Sequence, residues 1–311
     1  MTSTFGPNGH PVSLAAGDYR ATILPVGATL AGLTFGGRDV VLPLAEDEIP
    51  EAFTGKVLMP WPNRIAGGRY TFGGTEYQVP VNEPETGMAL HGLVAWDAWD
   101  VVETSPERAV LRHRLMGQPG YPFQLELQAV YALDADTGLS VELSAANAGT
   151  APAPYGASAH PYLTADRVPV DRCVLDVPAA QVLGGPEQSG RPLDLSELRD
   201  TKGTVLSFSA PEPIGARTVD HAFTGLPDGD WQATLTDPET GFGAVLSASG
   251  KEAPWLQVYS GEKMDRLGVG VEPMTCPPDA FNSGEGLIVL APGEDHRLSY
   301  RIAAVSERSR Q

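Results

Sequence analysis

The chain has 311 residues, of which 42% are hydrophobic, so it is long enough and apolar enough to bury a sizeable core. Its 39 acidic and 21 basic residues give a net charge of −18, and no run of basic residues interrupts that excess. Because such a surface repels polyanions, we expect neither nucleic acid nor an acidic membrane as a partner.

Cysteine usage and the first residues indicate the compartment. Only Cys173 and Cys276 occur, without a C-x-x-C spacing, so we expect neither a disulfide framework nor a zinc–cysteine site. Residues 1–7 lack the basic start and the apolar stretch of a signal peptide. No stretch approaches the roughly 18 apolar residues that a membrane span needs. The sequence therefore predicts a cytoplasmic protein.

Alternating apolar and polar residues predict β-strands along most of the chain. The first clear hairpin has strands at residues 70–72 and 76–79, joined by Gly73-Gly74. Two longer hairpins follow, one with strands at residues 125–133 and 139–143 and one at 231–236 and 244–246. The 35 glycines and 28 prolines are spread as isolated turn residues, which also favours many short strands.

Helical patterns are weak. Residues 46–53 and 196–199 are each expected to form a helical turn or two, and no longer segment repeats with the helical period. No linker rich in Pro, Ser or Gly divides the chain. We therefore predict an all-β fold in a single domain over residues 1–311. It would be a large antiparallel β-sandwich with its site on loops and strand ends of a concave face.

The histidines fall into two groups. Three lie in polar segments and are expected at the surface: His10, His113 and His296. Three have apolar or small neighbours: His91, His160 and His221. Each of the second group is either a structural histidine or a group able to transfer protons near neutral pH.

The motifs of the common cofactor and nucleophile sites are missing. There is no H-x-H or H-E-x-x-H pair for a metal, and no G-x-S-x-G for a serine nucleophile. Neither G-x-G-x-x-G before a helix nor a phosphate-binding P-loop occurs. The sequence therefore predicts no metal and no other cofactor.

A carboxylate and a basic segment remain as candidates for a polar site. Glu272 ends the apolar run 267–271, where desolvation would raise its pKa and strengthen it as a base, unless it is a surface residue. Asn63 and Arg64 follow Trp61, and this mixture of amide, forked donor and aromatic ring suits a sugar. The alternative is a structural arginine bonded to backbone carbonyls.

Six short segments together resemble the aldose 1-epimerase (galactose mutarotase) family in order and spacing. They are residues 62–65 (Pro-Asn-Arg-Ile), 90–92 (Leu-His-Gly), 160–162 (His-Pro-Tyr), 220–221 (Asp-His), 256–261 (Leu-Gln-Val-Tyr-Ser-Gly) and 272–273 (Glu-Pro). The resemblance extends over roughly residues 36–303. It implies a β-supersandwich and an isomerase that interconverts the α and β anomers of a free aldose without metal or nucleotide.

The resemblance also implies roles for individual residues. Glu272 would be the general base that takes the proton of the anomeric O1 hydroxyl. His160, as imidazolium, would be the general acid that protonates the ring oxygen. The groups expected to hold the sugar are Arg64, His91, Asp220 and Gln257, with Asn63 supporting them.

Two departures point to a subgroup. Leu90-His91-Gly92 continues without further glycines, and Glu272-Pro273 continues as Met-Thr-Cys-Pro. Both continuations resemble a bacterial subgroup that includes sulfosugar (sulfoquinovose) mutarotases. The alternatives are a non-catalytic sugar-binding protein or sensor, and an accessory domain of a lyase or glycosidase. The presence of both His160 and Glu272 favours an enzyme, and its oligomeric state is not predicted.

Overall fold

The computed structural model describes residues 6–184, 197–210 and 212–305. Within these ranges almost all of the regular secondary structure is antiparallel β-strand. The strands of its first half are β1 Val12–Ala16, β2 Tyr19–Leu24, β3 Thr29–Phe35, β4 Arg38–Val41, β5 Val57–Leu58, β6 Arg64–Ile65, β7 Arg69–Phe72, β8 Thr75–Gln78, β9 Ala89–Leu90, β10 Asp100–Thr104, β11 Arg108–Leu115, β12 Leu125–Asp134, β13 Gly138–Asn147 and β14 Ala153–Tyr155. Those of its second half are β15 Ser158–Ala159, β16 Tyr162–Leu163, β17 Val174–Asp176, β18 Gln181–Leu183, β19 Leu198–Asp200, β20 Asp220–Thr224, β21 Asp230–Thr236, β22 Gly243–Ser249, β23 Trp255–Tyr259, β24 Val269–Met274, β25 Ile288–Leu290 and β26 Asp295–Val305.

Two large sheets account for most of these strands. One has ten strands in the order β1-β2-β3-β4-β16-β24-β23-β20-β18-β19, and the other has eight in the order β10-β11-β12-β13-β26-β22-β21-β17. Four further strand pairs are β14-β25, β15-β5, β6-β9 and β7-β8. The all-β, antiparallel architecture predicted from the sequence is confirmed.

Side-chain alternation explains the core. Along β12 every second residue is buried, namely Leu125, Leu127, Ala129, Tyr131 and Leu133, while the residues between them stay partly or fully exposed. A period of two places one face of each strand in the core and the other towards solvent. Each fully buried leucine contributes about 1.5–3 kcal/mol, so this register is strongly favoured over a one-residue slip.

The three predicted hairpins are confirmed, and their turns have local causes. Gly73 and Gly74 both adopt positive φ, 58° and 79°, as a tight primed turn requires. In the β12–β13 turn, Oδ1 of Asp134 accepts hydrogen bonds from the N–H groups of Asp136 and Thr137. Asp237 accepts the N–H of Glu239 in the turn between β21 and β22.

Helical structure is limited. The described part of the chain contains one short α-helix, Ala280–Ser283, and 3₁₀ segments at Ala66–Gly68, Val170–Arg172 and Glu262–Met264. No helix of those described residues is long and apolar enough to cross a membrane.

Neither predicted helical segment is helical where the structure describes it. Residues 46–53 form turns. Residues 198–200 form β19, because pairing with β18 satisfies their backbone groups at the edge of the sheet. Ser196, the first residue of the second segment, lies outside the described residues.

Candidate active site

A cavity of about 950 Å³ opens beside the ten-stranded sheet. All seven residues predicted for the site line it: Asn63, Arg64, His91, His160, Asp220, Gln257 and Glu272. They come from strands or loops that are distant in sequence, so only the folded sheet brings them together.

Neighbouring strands of the sheet form one wall. Glu272 on β24 lies directly opposite Gln257 on β23. Both side chains are buried, Glu272 being only 1% exposed. Nε2 of Gln257 donates to Oδ1 of Asp220 on β20 at 2.6 Å. The sequence prediction of a desolvated carboxylate at Glu272 is confirmed, although the residue lies within its strand.

Backbone pairing fixes the position of His160. Its N–H donates to the carbonyl of Lys56 at 2.9 Å, and its carbonyl accepts the N–H of Gly55 at 2.9 Å. Its ring stacks on Tyr162, with ring centroids 4.9 Å apart. A Cβ on Gly270 would lie 3.3 Å from Cε1 of His160, so a side chain there would press against the imidazole.

His160 and Glu272 form a buried acid–base pair. Nε2 of His160 lies 3.2 Å from Oε1 of Glu272. Burial, with the charge of Arg64 acting in the same direction, lowers the pKa of His160 to about 3. Burial also raises the pKa of Glu272 well above its usual range, the charge of Asp220 adding to this and that of Arg64 opposing it.

The protonation state of this pair differs from the sequence prediction. His160 was expected as an imidazolium, but burial favours the neutral form of both groups. A protonated carboxyl and a neutral imidazole together hold one proton, and burial favours its position on Glu272 over one on His160. Oε2 of Glu272 and Nδ1 of His160 have no hydrogen-bond partner among the described residues.

His91 is held by Asn63 on the opposite wall. The N–H of His91 donates to the carbonyl of Asn63 at 2.8 Å, and the N–H of Asn63 donates to Nδ1 of His91 at 3.2 Å. Both residues have left-handed backbones, with φ of 52° at Asn63 and 63° at His91. Gly92 must follow, because a Cβ there would lie 2.1 Å from the carbonyl oxygen of Met59.

These bonds define the hydrogen-bonding character of His91. Burial lowers its pKa well below the usual value, so the ring is neutral near pH 7. Because Nδ1 accepts a hydrogen bond, the proton of the neutral ring lies on Nε2. His91 therefore acts as a hydrogen-bond donor through Nε2.

His91, His160 and Glu272 lie close enough together to be compared with a metal site. One ligand atom from each of His91, His160 and Glu272 lies within 4.8 Å of the others. A ligating histidine normally donates a hydrogen bond from its other ring nitrogen, whereas Nδ1 of His91 accepts one from Asn63. That bond opposes metal ligation through Nε2 and suits donation to an oxygen atom.

Arg64 lies at the centre of a polar network. Its Nε and Nη2 donate to the two carboxylate oxygens of Glu83 at 2.7 and 2.8 Å. Nη2 also lies 3.5 Å from Oδ2 of Asp220, and Nη1 lies 3.4 Å from Oδ1 of Asn63. Its backbone carbonyl accepts the N–H of Asp279 at 2.7 Å. Arg64 is thus paired with carboxylates, not with backbone carbonyls as in the alternative interpretation.

Several residues that line the cavity were given no role in the site from the sequence: Phe53, Glu83, Tyr162, His221 and Tyr259. His221 was a candidate histidine, and Tyr162 and Tyr259 stood within recognised segments. Glu83 is an acidic residue in a polar stretch and gave no signal. Trp61 does not line the cavity. It is 2% exposed and packs against Phe281 in the core, so the expectation of a sugar-facing ring there is wrong.

The surface histidines lie away from the cavity. His10 is exposed as expected, whereas His113 and His296 are partly buried. His113 is covered because its ring packs against Trp99, with centroids 5.6 Å apart. The ring of His296 packs against Tyr155 at 5.9 Å.

Sequence comparisons give a consistent family. The profile described as Aldose 1-epimerase matches residues 11–303. An Escherichia coli K12 relative, named Uncharacterized protein YihR, is 46% identical over 295 residues, which are 95% of this chain and 93% of that protein. The galactose mutarotase of Mus musculus is 35% identical over 135 residues, which are 39% of this chain and 38% of that protein.

Solved structures share the fold. A GalM/aldose epimerase homologue from C. elegans superposes with a TM-score of 0.82 at 21% identity, covering 96% of this chain and 99% of that one. The galactose 1-epimerase of Lactobacillus acidophilus NCFM gives 0.80 at 21% identity, covering 94% and 93%. At these identities the similarity shows the fold alone, which is the galactose mutarotase-like β-sandwich.

Proposed function

Because the chain belongs to the aldose 1-epimerase family, we propose that it is a mutarotase that interconverts the α and β anomers of a free aldose. The observation that carries the proposal is the buried contact of 3.2 Å between His160 and Glu272. Opening a cyclic hemiacetal requires one group that accepts the O1 proton and a second that protonates the ring oxygen. The His160–Glu272 pair supplies these two functions with its single proton.

The proton first moves within the pair. Transfer from the Glu272 carboxyl to Nε2 of His160 converts the neutral pair into carboxylate and imidazolium. The sugar hydroxyls that replace water in the cavity stabilise these charges. Glu272 then accepts the proton of O1 while His160 donates to the ring oxygen, and the C1–ring oxygen bond breaks to give the aldehyde.

Ring closure reverses these transfers. Rotation about C1–C2 presents the other face of the aldehyde to the hydroxyl that re-forms the ring. His160 takes the proton of that hydroxyl and Glu272 returns one to O1, so the pair ends with the single proton it started with. No metal, nucleotide or redox partner is consumed.

The remaining groups hold the sugar. Arg64 and Nε2–H of His91 donate to sugar oxygens, whereas the carboxylate of Asp220 accepts from hydroxyls. Asn63 fixes the orientation of His91 through two hydrogen bonds. This combination of forked donor, neutral donor and carboxylate suits a polyhydroxylated ring.

The test is exchange NMR of anomers at equilibrium. Saturation transfer between the two H1 resonances should show protein-dependent exchange for at least one aldose in a panel that includes galactose, glucose, and sulfonated and carboxylated hexoses. The panel is needed because the family comparison leaves the sugar open. Sugar binding without accelerated exchange would favour a non-catalytic sugar-binding protein, and neither binding nor exchange with any of them would reject the proposal.

A further inference from the structure

Glu83 is a fixed carboxylate next to Arg64. Its side chain is 16% exposed and accepts both hydrogen bonds of the bidentate pair. Oγ1 of Thr86 donates to Oε2 of Glu83 at 2.5 Å. The carbonyl of Glu83 accepts the N–H of Gly87 at 2.9 Å, which closes the turn that carries it. Moving the carboxylate away from Arg64 would therefore break the bond from Thr86 as well as the two bonds from Arg64.

The charge of Arg64 bears directly on the acid–base pair. Arg64 lines the same cavity as His160 and Glu272, and its side chain is only 10% exposed, so solvent screens it weakly. A nearby cation favours the carboxylate of Glu272 and disfavours the imidazolium of His160. The electrostatic effect of Arg64 on the pair depends on how far neighbouring carboxylates already neutralise its charge.

Two carboxylates supply that counter-charge, and they are not equivalent. Asp220 lies 3.5 Å from Arg64 and its side chain is 44% exposed. Glu83 makes two bonds at 2.7 and 2.8 Å and is much more buried. Burial and bidentate geometry both strengthen an ion pair, so Glu83 neutralises Arg64 more effectively than Asp220.

We propose that Glu83 is a positioning residue that sets the proton affinity of the His160–Glu272 pair by neutralising Arg64. Glu83 itself does not contact the reacting atoms in this assignment. The activity arm of its test rests on the proposed mutarotase function, but the proton affinity of Glu272 is measurable without any reaction.

Other groups around Glu272 remain constant in the test. The titratable or charged side chains that face it or lie near it are Asp220 from β20, Tyr259 from β23, Tyr162 from β16, and His91 and His160 from the adjoining segments. The charge of Lys263 also favours the carboxylate form of Glu83. Because none of them is substituted, a change of titration reports the Glu83–Arg64 pair.

The experiment is a ¹³C NMR titration of the whole protein labelled at the glutamate carboxyl carbon. The Glu272 resonance is assigned by its loss in Glu272→Gln. In Glu83→Gln, which keeps the shape but not the charge, Arg64 is left unneutralised. The Glu272 midpoint should therefore fall by about one pH unit. The alkaline limb of the kcat profile for anomer exchange, on which the pair loses its single proton, should move in the same direction.

Three further variants distinguish charge from structure. Glu83→Asp keeps the carboxylate and should restore the midpoint towards that of the wild type. Thr86→Val removes one bond to Glu83 without changing any charge and should leave the midpoint in place. The double variant Arg64→Gln/Glu83→Gln removes both charges, so its midpoint should return close to the wild-type value. If Glu83→Gln does not fold, the Glu272 midpoint can still be measured in this double variant.

The outcomes separate this inference from the proposed function. An unchanged Glu272 midpoint in folded Glu83→Gln, or an equal shift in Thr86→Val, would overturn the role of Glu83. A double variant whose midpoint stays far from that of the wild type would do the same. Absence of anomer exchange in the wild type would reject the mutarotase proposal, while the carboxyl titration would still decide the role of Glu83.

Discussion

Nε2 of His160 lies 3.2 Å from Oε1 of Glu272, with side chains only 6% and 2% exposed. The same distance separates Nε2 of His113 from Oδ2 of Asp97, but those side chains are 16% and 46% exposed. The two pairs share chemistry and separation and differ in burial and in their access to the cavity. The His113–Asp97 pair is therefore a matched control for the His160–Glu272 pair.

Removing either member of the buried pair should disable anomer exchange. Glu272→Gln cannot accept the O1 proton, and His160→Gln cannot cycle a proton near neutral pH. Each should lower kcat by about 10²–10⁴-fold while sugar binding survives, and the double variant should be little worse than the slower single one. Saturation-transfer NMR gives the rate, and titration calorimetry gives the binding constant.

The corresponding control is His113→Gln, which alters a histidine–carboxylate pair away from the cavity. Its exchange rate should equal that of the wild type. A folded, sugar-binding Glu272→Gln protein with wild-type exchange would remove Glu272 from the mechanism.

Arg64→Ala should weaken sugar binding more than it slows the chemical step. A forked donor to ring hydroxyls acts in the ground and transition states alike, and bonds to charged groups are worth about 1.5–3 kcal/mol. On the plateau of the pH profile, KM should rise about 10- to 100-fold with a smaller change in kcat. Arg69→Ala breaks the exposed pair with Glu76 and should change neither constant. A large fall in kcat at constant KM would assign Arg64 a different role.

Chelation should leave anomer exchange intact. Nδ1 of His91 accepts a hydrogen bond from Asn63, which opposes metal ligation through Nε2. Dialysis against a strong chelator should therefore not change kcat, as followed by polarimetry before and after treatment. Activity that is lost on dialysis and regained only with an added metal ion would contradict this prediction.

The buried state of His160 should appear in the pH dependence of stability. Its folded pKa of about 3 lies below the ordinary value near 6.5, so between these values the unfolded chain binds more protons. The contribution of His160 to the free energy of unfolding should therefore fall as pH drops from about 7 to 5, whereas the raised pKa of Glu272 acts in the opposite direction. His160→Gln lacks this contribution, and both proteins retain the titration of Glu272.

Urea denaturation of both proteins at the two pH values measures the effect. The stability of the wild type relative to His160→Gln should be lower at about pH 5 than at about pH 7. If the difference between the two proteins is the same at both pH values, His160 is not buried in its neutral form.

The sequence alone determined the pattern of strands and turns and the identity of the main polar residues of the site. Alternation along residues 125–133 specifies a strand with one buried face, and Gly73-Gly74 specifies a tight turn, because both depend on local backbone geometry. The family segments likewise identified seven polar residues that all line one cavity. The strand, the turn and each family segment can be predicted from the sequence because each is encoded by residues close together in the chain.

Only the tertiary structure decided which groups meet and where the proton lies. Glu83 pairs with Arg64 of β6, 19 residues earlier in the chain. Trp61 packs in the core although its neighbours Asn63 and Arg64 face the cavity. Burial then disfavours the positive charge expected on His160, because removal from water costs an imidazolium more than a neutral ring. Desolvation and long-range pairing depend on the packing of distant strands, so no local pattern contains them.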